Sequence, residues 1–221
     1  MKKHLSLISL FLCCFLIGCD NKPAEAHFTP VAVDLGLPSG TKWANCNVDA
    51  TAPEEYGGYY AWGETEEKSD YSFETYKYCN YPPLRYTKYG ISTYPGVADN
   101  KLTLDSEDDV AHVKWGGAWR MPTRTEQKEL RNKCTWEWAV LNGVNGYRVT
   151  GPNGNSIFLP AAGYRHGSKI SRQGSCGYYW SSRFNTAMFA TDACYSVFSS
   201  SDFLWKYGNR EYGNSVRPVC K

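Results

Sequence analysis

Cysteines, clustered carboxylates and two guanidinium groups set in apolar phrases are the side chains here that could do chemistry. Cys19 closes an apolar run as Leu16-Ile17-Gly18-Cys19, the pattern in which a cysteine thiol takes a lipid once the chain before it is cleaved. Cys13 and Cys14 precede that cleavage. Cys46, Cys79, Cys134, Cys176, Cys194 and Cys220 remain. An even set in an exported chain predicts disulfides, in pairings that spacing alone does not separate. Cys176 and Cys194 are the nearest late pair and are read as one bridge. No Cys-x-x-Cys and no neighbouring Cys/His pair occurs, so no zinc site is expected.

Asp99, Asn100, Asp105, Glu107, Asp108 and Asp109 offer oxygens of the kind a hard cation needs, and Asp108 lies one helical turn from His112. The same residues suit a helix start and a solvated acidic face, and that is the reading adopted. No metal and no cofactor is expected. Arg120 and Arg217 sit inside apolar phrases. Their planar five-donor fork suits ligand recognition, but suits equally a buried structural role on backbone carbonyls and a carboxylate such as Glu126. The structural role is expected.

The N-terminus sets the address. Lys2 and Lys3 precede an apolar run, Leu5 to Ile17, that fits a signal peptide and is too short to span a bilayer. The chain therefore divides into a lipoprotein signal peptide (1–18), a lipidated polar tether (19–27) and a single domain (28–221). Contact with the membrane is expected through the lipid anchor only. Removing residues 1–18 takes Lys2 and Lys3 away and leaves 22 basic and 22 acidic side chains. A neutral domain has no electrostatic footprint for nucleic acid, which is excluded as a partner.

The elements that must position these groups are short. With 17 Tyr, 8 Trp, 9 Phe and 20 Gly, the composition favours a strand-rich, turn-rich fold over a helical bundle. Val31–Leu37, the turn Pro38–Gly40 and Thr41–Cys46 read as strand, turn, strand, and Tyr59–Trp62 as a short aromatic strand. From Glu64 to Thr103 no period is sustained, which predicts a long loop. Six tyrosines between Tyr71 and Tyr89 predict that it is ordered. Ser106-Glu-Asp-Asp109 has capping-box spacing for a helix ending before Gly116-Gly117, and Thr123 with Glu126 caps a second helix to about Lys133. Strands follow over Trp136–Leu141, Gly146–Thr150, Ser156–Leu159, Tyr178–Ser182, Ala187–Phe198 and Ser215–Cys220. Asn142-Gly143 and Asn153-Gly154 supply the turns. The fold class is α+β: antiparallel strands and hairpins, two short helices and long loops.

Trp119-Arg-Met-Pro-Thr-x-x-Glu126, Leu159-Pro-Ala-Ala-Gly-Tyr-Arg165, Gly177-Tyr-Tyr-Trp-Ser-Ser182 and Ser215-Val-Arg-Pro-Val219 resemble the Fibrobacter succinogenes major paralogous domain family. Val33-Asp-Leu-Gly-Leu-Pro-Ser-Gly-Thr-Lys-Trp-Ala44 and Tyr59-Tyr-Ala-Trp-Gly-Glu64 are similar to it too. The likeness covers nearly all of residues 28–221. More distantly, the Arg-x-Pro-Thr-x-x-Glu and Val-Arg-Pro-Val phrases resemble Lcl-type lectin and sulfatase-modifying-factor domains. The resemblance implies a C-type-lectin-like fold and a surface binding domain, and it carries over no catalytic residue. The Glu-Pro-Asn and Trp-Asn-Asp tripeptides of calcium-dependent lectins are absent, as are Gly-x-Ser-x-Gly and His-Glu-x-x-His. The chain is not expected to be an enzyme.

In folds of that class a loop between strands carries recognition. Here it would run from Tyr164-Arg-His-Gly-Ser-Lys169 to Arg172, so Tyr164, Arg165, His166, Lys169 and Arg172 are the candidate ligand-binding residues. The expected role is a lipid-anchored binding protein of the cell envelope, at the outer membrane, recognising glycan or extracellular matrix. The alternative is an accessory subunit of a surface assembly that contacts envelope or matrix protein through aromatic patches.

Overall fold

The structure is a computed structural model, and it describes residues 29–90, 96, 98–184 and 192–221. The signal peptide, Cys19 and the tether lie outside the described residues, as does the 187–191 part of the expected strand from Ala187.

Small antiparallel sheets and two helices make the architecture α+β. Strand β1 (Ala32–Val33) pairs with β2 (Lys42–Ala44), joined by a turn in which Gly40 N–H donates to Leu37 C=O at 2.9 Å. A tyrosine-rich stretch follows, with a 3-10 turn at Phe73–Thr75 and a two-residue pair, β3 (Cys79–Asn80) with β4 (Arg85–Tyr86). Helices α1 (Val110–Trp115) and α2 (Arg124–Lys133) come next. Strands β5 (Thr135–Leu141), β6 (Val144–Thr150) and β7 (Ser156–Pro160) form one meander. A small hairpin, β8 (Tyr164–His166) with β9 (Lys169–Ser171), leads into a second meander. That meander is β10 (Cys176–Phe184), β11 (Asp192–Ser199) and β12 (Phe203–Asn209). The closing strand β13 (Val219–Cys220) returns to pair with β2. Among the described residues no helix is long and apolar enough to cross a membrane.

Local chemistry explains most of these boundaries. Thr123 Oγ1 accepts from Glu126 N–H while Glu126 returns to Thr123 N–H at 2.8 Å, the reciprocal cap expected from the sequence. Asn142 and Gly143 take φ of 47° and 83°, the left-handed pair that a two-residue hairpin requires. Two expectations need correcting. Ser106–Asp108 is a 3-10 turn, and Asp109, not Ser106, caps α1 by accepting from Ala111 and His112 N–H. Tyr59–Trp62 is not a strand: Tyr60 makes an isolated bridge to Asn214. The rings of Trp62 and Trp180 hold that segment instead, with Trp180 Nε1–H donating to Tyr60 C=O at 2.7 Å.

Two cores result. One is built around Leu35, Trp43, Leu130, Val149, Leu159, Tyr179 and Phe198 and fills the space between the meanders and α2. The other is made of Trp62, Trp180, Phe184 and the tyrosines of the long stretch. Tyr71, Tyr76, Tyr78, Tyr86 and Tyr89 are buried, which orders the segment that carries no period. Arg210 clamps it to the core. Its guanidinium lies 3.8 Å over the Tyr86 ring and donates to Lys88 and Tyr89 C=O.

The six described cysteines for which disulfides are expected, Cys46, Cys79, Cys134, Cys176, Cys194 and Cys220, stand unpaired in the structure. The register shows why Cys176 and Cys194 do not bridge. Cys176 faces Ser199, five positions from Cys194 along β11, a separation of roughly 17 Å at about 3.3 Å per residue. A disulfide needs Cα atoms within about 7 Å. Cys46 Sγ instead donates to Ala50 C=O, and burial pushes its thiol above the usual range.

Candidate functional site

Strand alternation decides which side chains share a surface. In β10, Tyr179 points into the core, where its hydroxyl donates to Pro160 C=O at 2.8 Å. Tyr178 and Trp180 therefore face the other way. The register places Val197 and Tyr195 of β11 opposite them, and Leu204 and Lys206 of β12 beyond. Gly208 ends this face without a side chain. A Cβ there would meet the Tyr195 ring at 2.8 Å, so glycine lets the ring lie flat along β12.

The β8–β9 hairpin and the turn after β12 wall this face. Arg165 and Gly213 exchange backbone hydrogen bonds at 2.7 and 2.9 Å, and Asn214 does the same with Tyr60. Ser215 N–H donates to Tyr178 C=O at 3.0 Å, and its own C=O receives Trp180 N–H at 3.1 Å. Tyr212 and Asn214 are thus held between neighbours on both sides.

The result is a cleft of about 200 Å³ lined by Tyr164, Tyr178, Trp180, Tyr195, Tyr212, Asn214, Asn209, Gly208, Lys206 and Arg172. Its rings form a continuous ladder. Tyr212 stacks on Tyr164 at 5.9 Å, Tyr164 lies 4.7 Å from Tyr178, Tyr178 stacks on Tyr195 at 5.9 Å, and Tyr195 meets Trp180 edge-on. The four tyrosines are half-buried, each with a supported ring and an accessible edge. Burial pushes the Tyr178 and Tyr212 hydroxyls up and carries Tyr195 up to about 12, so these phenols keep their protons and can donate. Asn214 is 2% exposed, and its Oδ1 accepts no hydrogen bond among the described residues.

Of the five residues expected to bind, Tyr164 and Arg172 line the cleft. His166 packs its ring against Tyr212 at 4.6 Å and supports the wall. Arg165 turns the other way, over the rings of Tyr59 and Tyr71. Lys169 is exposed and lines no part of the cleft. The expected long loop is the β8–β9 hairpin, turned at Gly167 with φ of 54°. Tyr178, Tyr195, Lys206, Tyr212 and Asn214 were not anticipated. The Phe203-Leu-Trp-Lys-Tyr alternation carried the signal for β12, but nothing local marks Tyr212 and Asn214, which long-range pairing brings in.

The other anticipated chemistry is used up inside the fold. Arg120 grips Glu126 with both ends of its fork, at 2.8 and 2.5 Å. Burial alone would raise the Glu126 carboxyl, but Arg120 and the Thr123 contacts hold it down at about 2. Arg217, 1% exposed, donates to Ala44, Asn45 and Phe158 C=O and to Asn47 Oδ1. Asp105, Glu107 and Asp108 converge, and the Lys88 ammonium sits among them at 2.7, 3.3 and 2.6 Å. Asp99 is spent on the backbone N–H groups of Tyr89, Gly90 and Lys101. A larger depression of about 370 Å³ beside Trp119 is lined by Asp109, which caps α1 and receives Met121 N–H at 2.8 Å, and by Arg120, which Glu126 engages. The Trp115–Leu130 stretch thus spends its polar groups on structure.

Glu211 adjoins the cleft wall and yields a pH prediction. It is 2% exposed, and burial pushes its carboxyl up to about 7 against the pull of Asn209 and Arg210. Between the ordinary carboxylate range and pH 7 the folded chain holds a proton that the unfolded chain releases. Stability therefore falls as pH rises through that window and levels off above it. Glu211→Gln is expected to remove this slope and to be about 2 kcal/mol more stable than the parent at pH 8. Urea unfolding at pH 5 and pH 8 checks it, and equal slopes in both proteins would refute it.

Comparison of the chain with protein-family models, with curated proteins and with solved structures finds no match.

Proposed function

We propose that this chain is a non-enzymatic carbohydrate-recognition module, held at the cell envelope by a lipid on Cys19, and that the tyrosine cleft is its binding site. The tyrosine ladder carries the reading. Rings fixed by a sheet and by a bridged turn offer flat apolar faces at small entropic cost, and protonated phenol edges suit sugar hydroxyls. Asn209 adds a polar side chain to the same lining. The resemblance of several phrases to the Fibrobacter succinogenes domain family, and more distantly to Lcl-type lectin domains, supports a surface binding role. The apolar run before Cys19 supports the anchor.

A glycan array probed with the full chain, with and without calcium, tests the proposal. At least one oligosaccharide class should bind in both conditions, since the converging carboxylates hold Lys88 and not a free cation seat. Tyr178→Ala should weaken that binding roughly 10- to 100-fold, as loss of a central aromatic contact does elsewhere. Tyr81→Ala removes a ring that is 48% exposed outside the cleft and should leave binding unchanged. A blank array together with a stoichiometric co-purifying envelope protein would replace this reading with the accessory-subunit role.

A further inference from the structure

We infer that the ligand of the tyrosine cleft is an acidic glycan whose carboxylate lies between Arg172 and Lys206, an inference that rests on the carbohydrate reading. The cleft does not end at its own rim. A second depression of about 200 Å³ runs on from it over the same sheet face, lined by Val197, Leu204, Ser199 and Asp202. Arg172, Tyr178 and Lys206 line both. Each depression is below the ~300 Å³ at which drug-sized pockets begin, so each suits one ring of a chain.

Charge distinguishes what that chain carries. Arg172 and Lys206 are exposed, and among the described residues neither has an ion-pair partner; Arg172 makes only a 4.0 Å contact to Cys176 Sγ. The first depression is lined by no carboxylate at all, and Asp202 lines only the second. Two cations without ion-pair partners, where the aromatic cleft meets the second depression, with Tyr178 lining both, form a donor set for an anion. The shape of the anion follows from the slot. A carboxylate is planar and bonded directly to a ring carbon, so it enters a narrow aromatic cleft with its ring and meets a guanidinium fork edge to edge. A sulfate ester is tetrahedral and stands off on an extra oxygen.

Titration calorimetry of the full chain tests this with four probes: oligogalacturonate and hyaluronan oligosaccharides, a neutral galactan of the same length, and a sulfated galactan free of carboxylate. One of the carboxylated probes should bind at least tenfold more tightly than the neutral galactan, and its affinity should fall as salt rises from 25 to 250 mM. Arg172→Gln and Lys206→Gln should each cost the acidic probe roughly tenfold and flatten the salt dependence of its binding. Equal affinity for neutral and carboxylated probes would overturn the inference while leaving the carbohydrate reading intact. A sulfated probe that binds as tightly as the carboxylated ones would overturn the carboxylate assignment. If none of the four binds and the array is also blank, both readings fail.

Discussion

Arg217→Ala is expected to lower the free energy of unfolding by about 4 kcal/mol or more, enough to leave a domain of this size largely unfolded at 37 °C. The guanidinium is buried and has no carboxylate partner among the described residues. Its four donations go to Ala44, Asn45 and Phe158 carbonyls and to Asn47. These acceptors come from the end of β2 and the residues just after it and from β7, so one side chain joins the β1–β2–β13 sheet to the β5–β7 meander. Truncation takes the donor from three buried acceptors and from the half-buried Asn45 carbonyl, at about 1–3 kcal/mol for each buried one before relaxation and water entry, plus a cavity. Arg217→Lys should recover only part of the loss, because a single ammonium cannot reproduce the spread of the fork. Urea denaturation of the two variants reads this directly. Parent-like stability of Arg217→Ala would mean that water serves those carbonyls as well as arginine does.

Lys88→Met is expected to cost about 3 kcal/mol at pH 7, through charge and not through packing. Asp108 is nearly fully buried, and burial by itself would raise its pKa. The Lys88 ammonium and the Tyr78 and Tyr89 hydroxyls reverse that and hold the carboxyl below its usual range. A depressed carboxyl stabilises the fold above its unfolded pKa and ceases to do so as pH falls. Without the ammonium, Asp108 and its neighbours repel one another, and protonation then relieves the fold. The deficit of the variant should therefore shrink between pH 7 and pH 4. Millimolar calcium should restore part of it, because Asp105, Glu107 and Asp108 offer oxygens within 4.8 Å of one another once Lys88 is gone. A deficit independent of both pH and calcium would place the contribution of Lys88 in its packed stem.

Much of the scaffold was legible because its signals are local. The Thr123–Glu126 cap, the Asn142-Gly143 turn and the strands around them each declare themselves within a few residues. The tyrosines between Tyr71 and Tyr89 marked an ordered segment even though no period described it, since aromatic side chains need a core. The misassignments came where one residue had two plausible local roles. Ser106 and Asp109 are both cap formers, and Asp109 wins because its second oxygen also receives Met121 N–H from across the loop. Tyr59–Trp62 reads as a strand by propensity, yet Trp62 and Trp180 tie it down through indole N–H bonds to carbonyls, with one bridge in place of a ladder.

The site was half legible. Tyr164 and Arg172 fell within a stretch that looked like a recognition loop, and both line the cleft. Its floor and far wall come from β10, β11, β12 and the Tyr212–Asn214 turn, which no local pattern joins to Tyr164. Those partners meet through the pairing of Arg165 with Gly213 and of Tyr60 with Asn214, contacts that span roughly 50 and 150 residues. A neutral total charge does not show that Arg172 and Lys206 share one rim, where the tyrosine cleft itself has no carboxylate in its lining.

The position of a bound sugar ring tests the central claim most directly. In a crystal of the full chain with its tightest oligosaccharide, the ring is expected in van der Waals contact with Tyr178 and Tyr195. A ring lodged instead in the depression beside Trp119 would contradict the account, since it would put recognition on the stretch assigned here to holding the fold together.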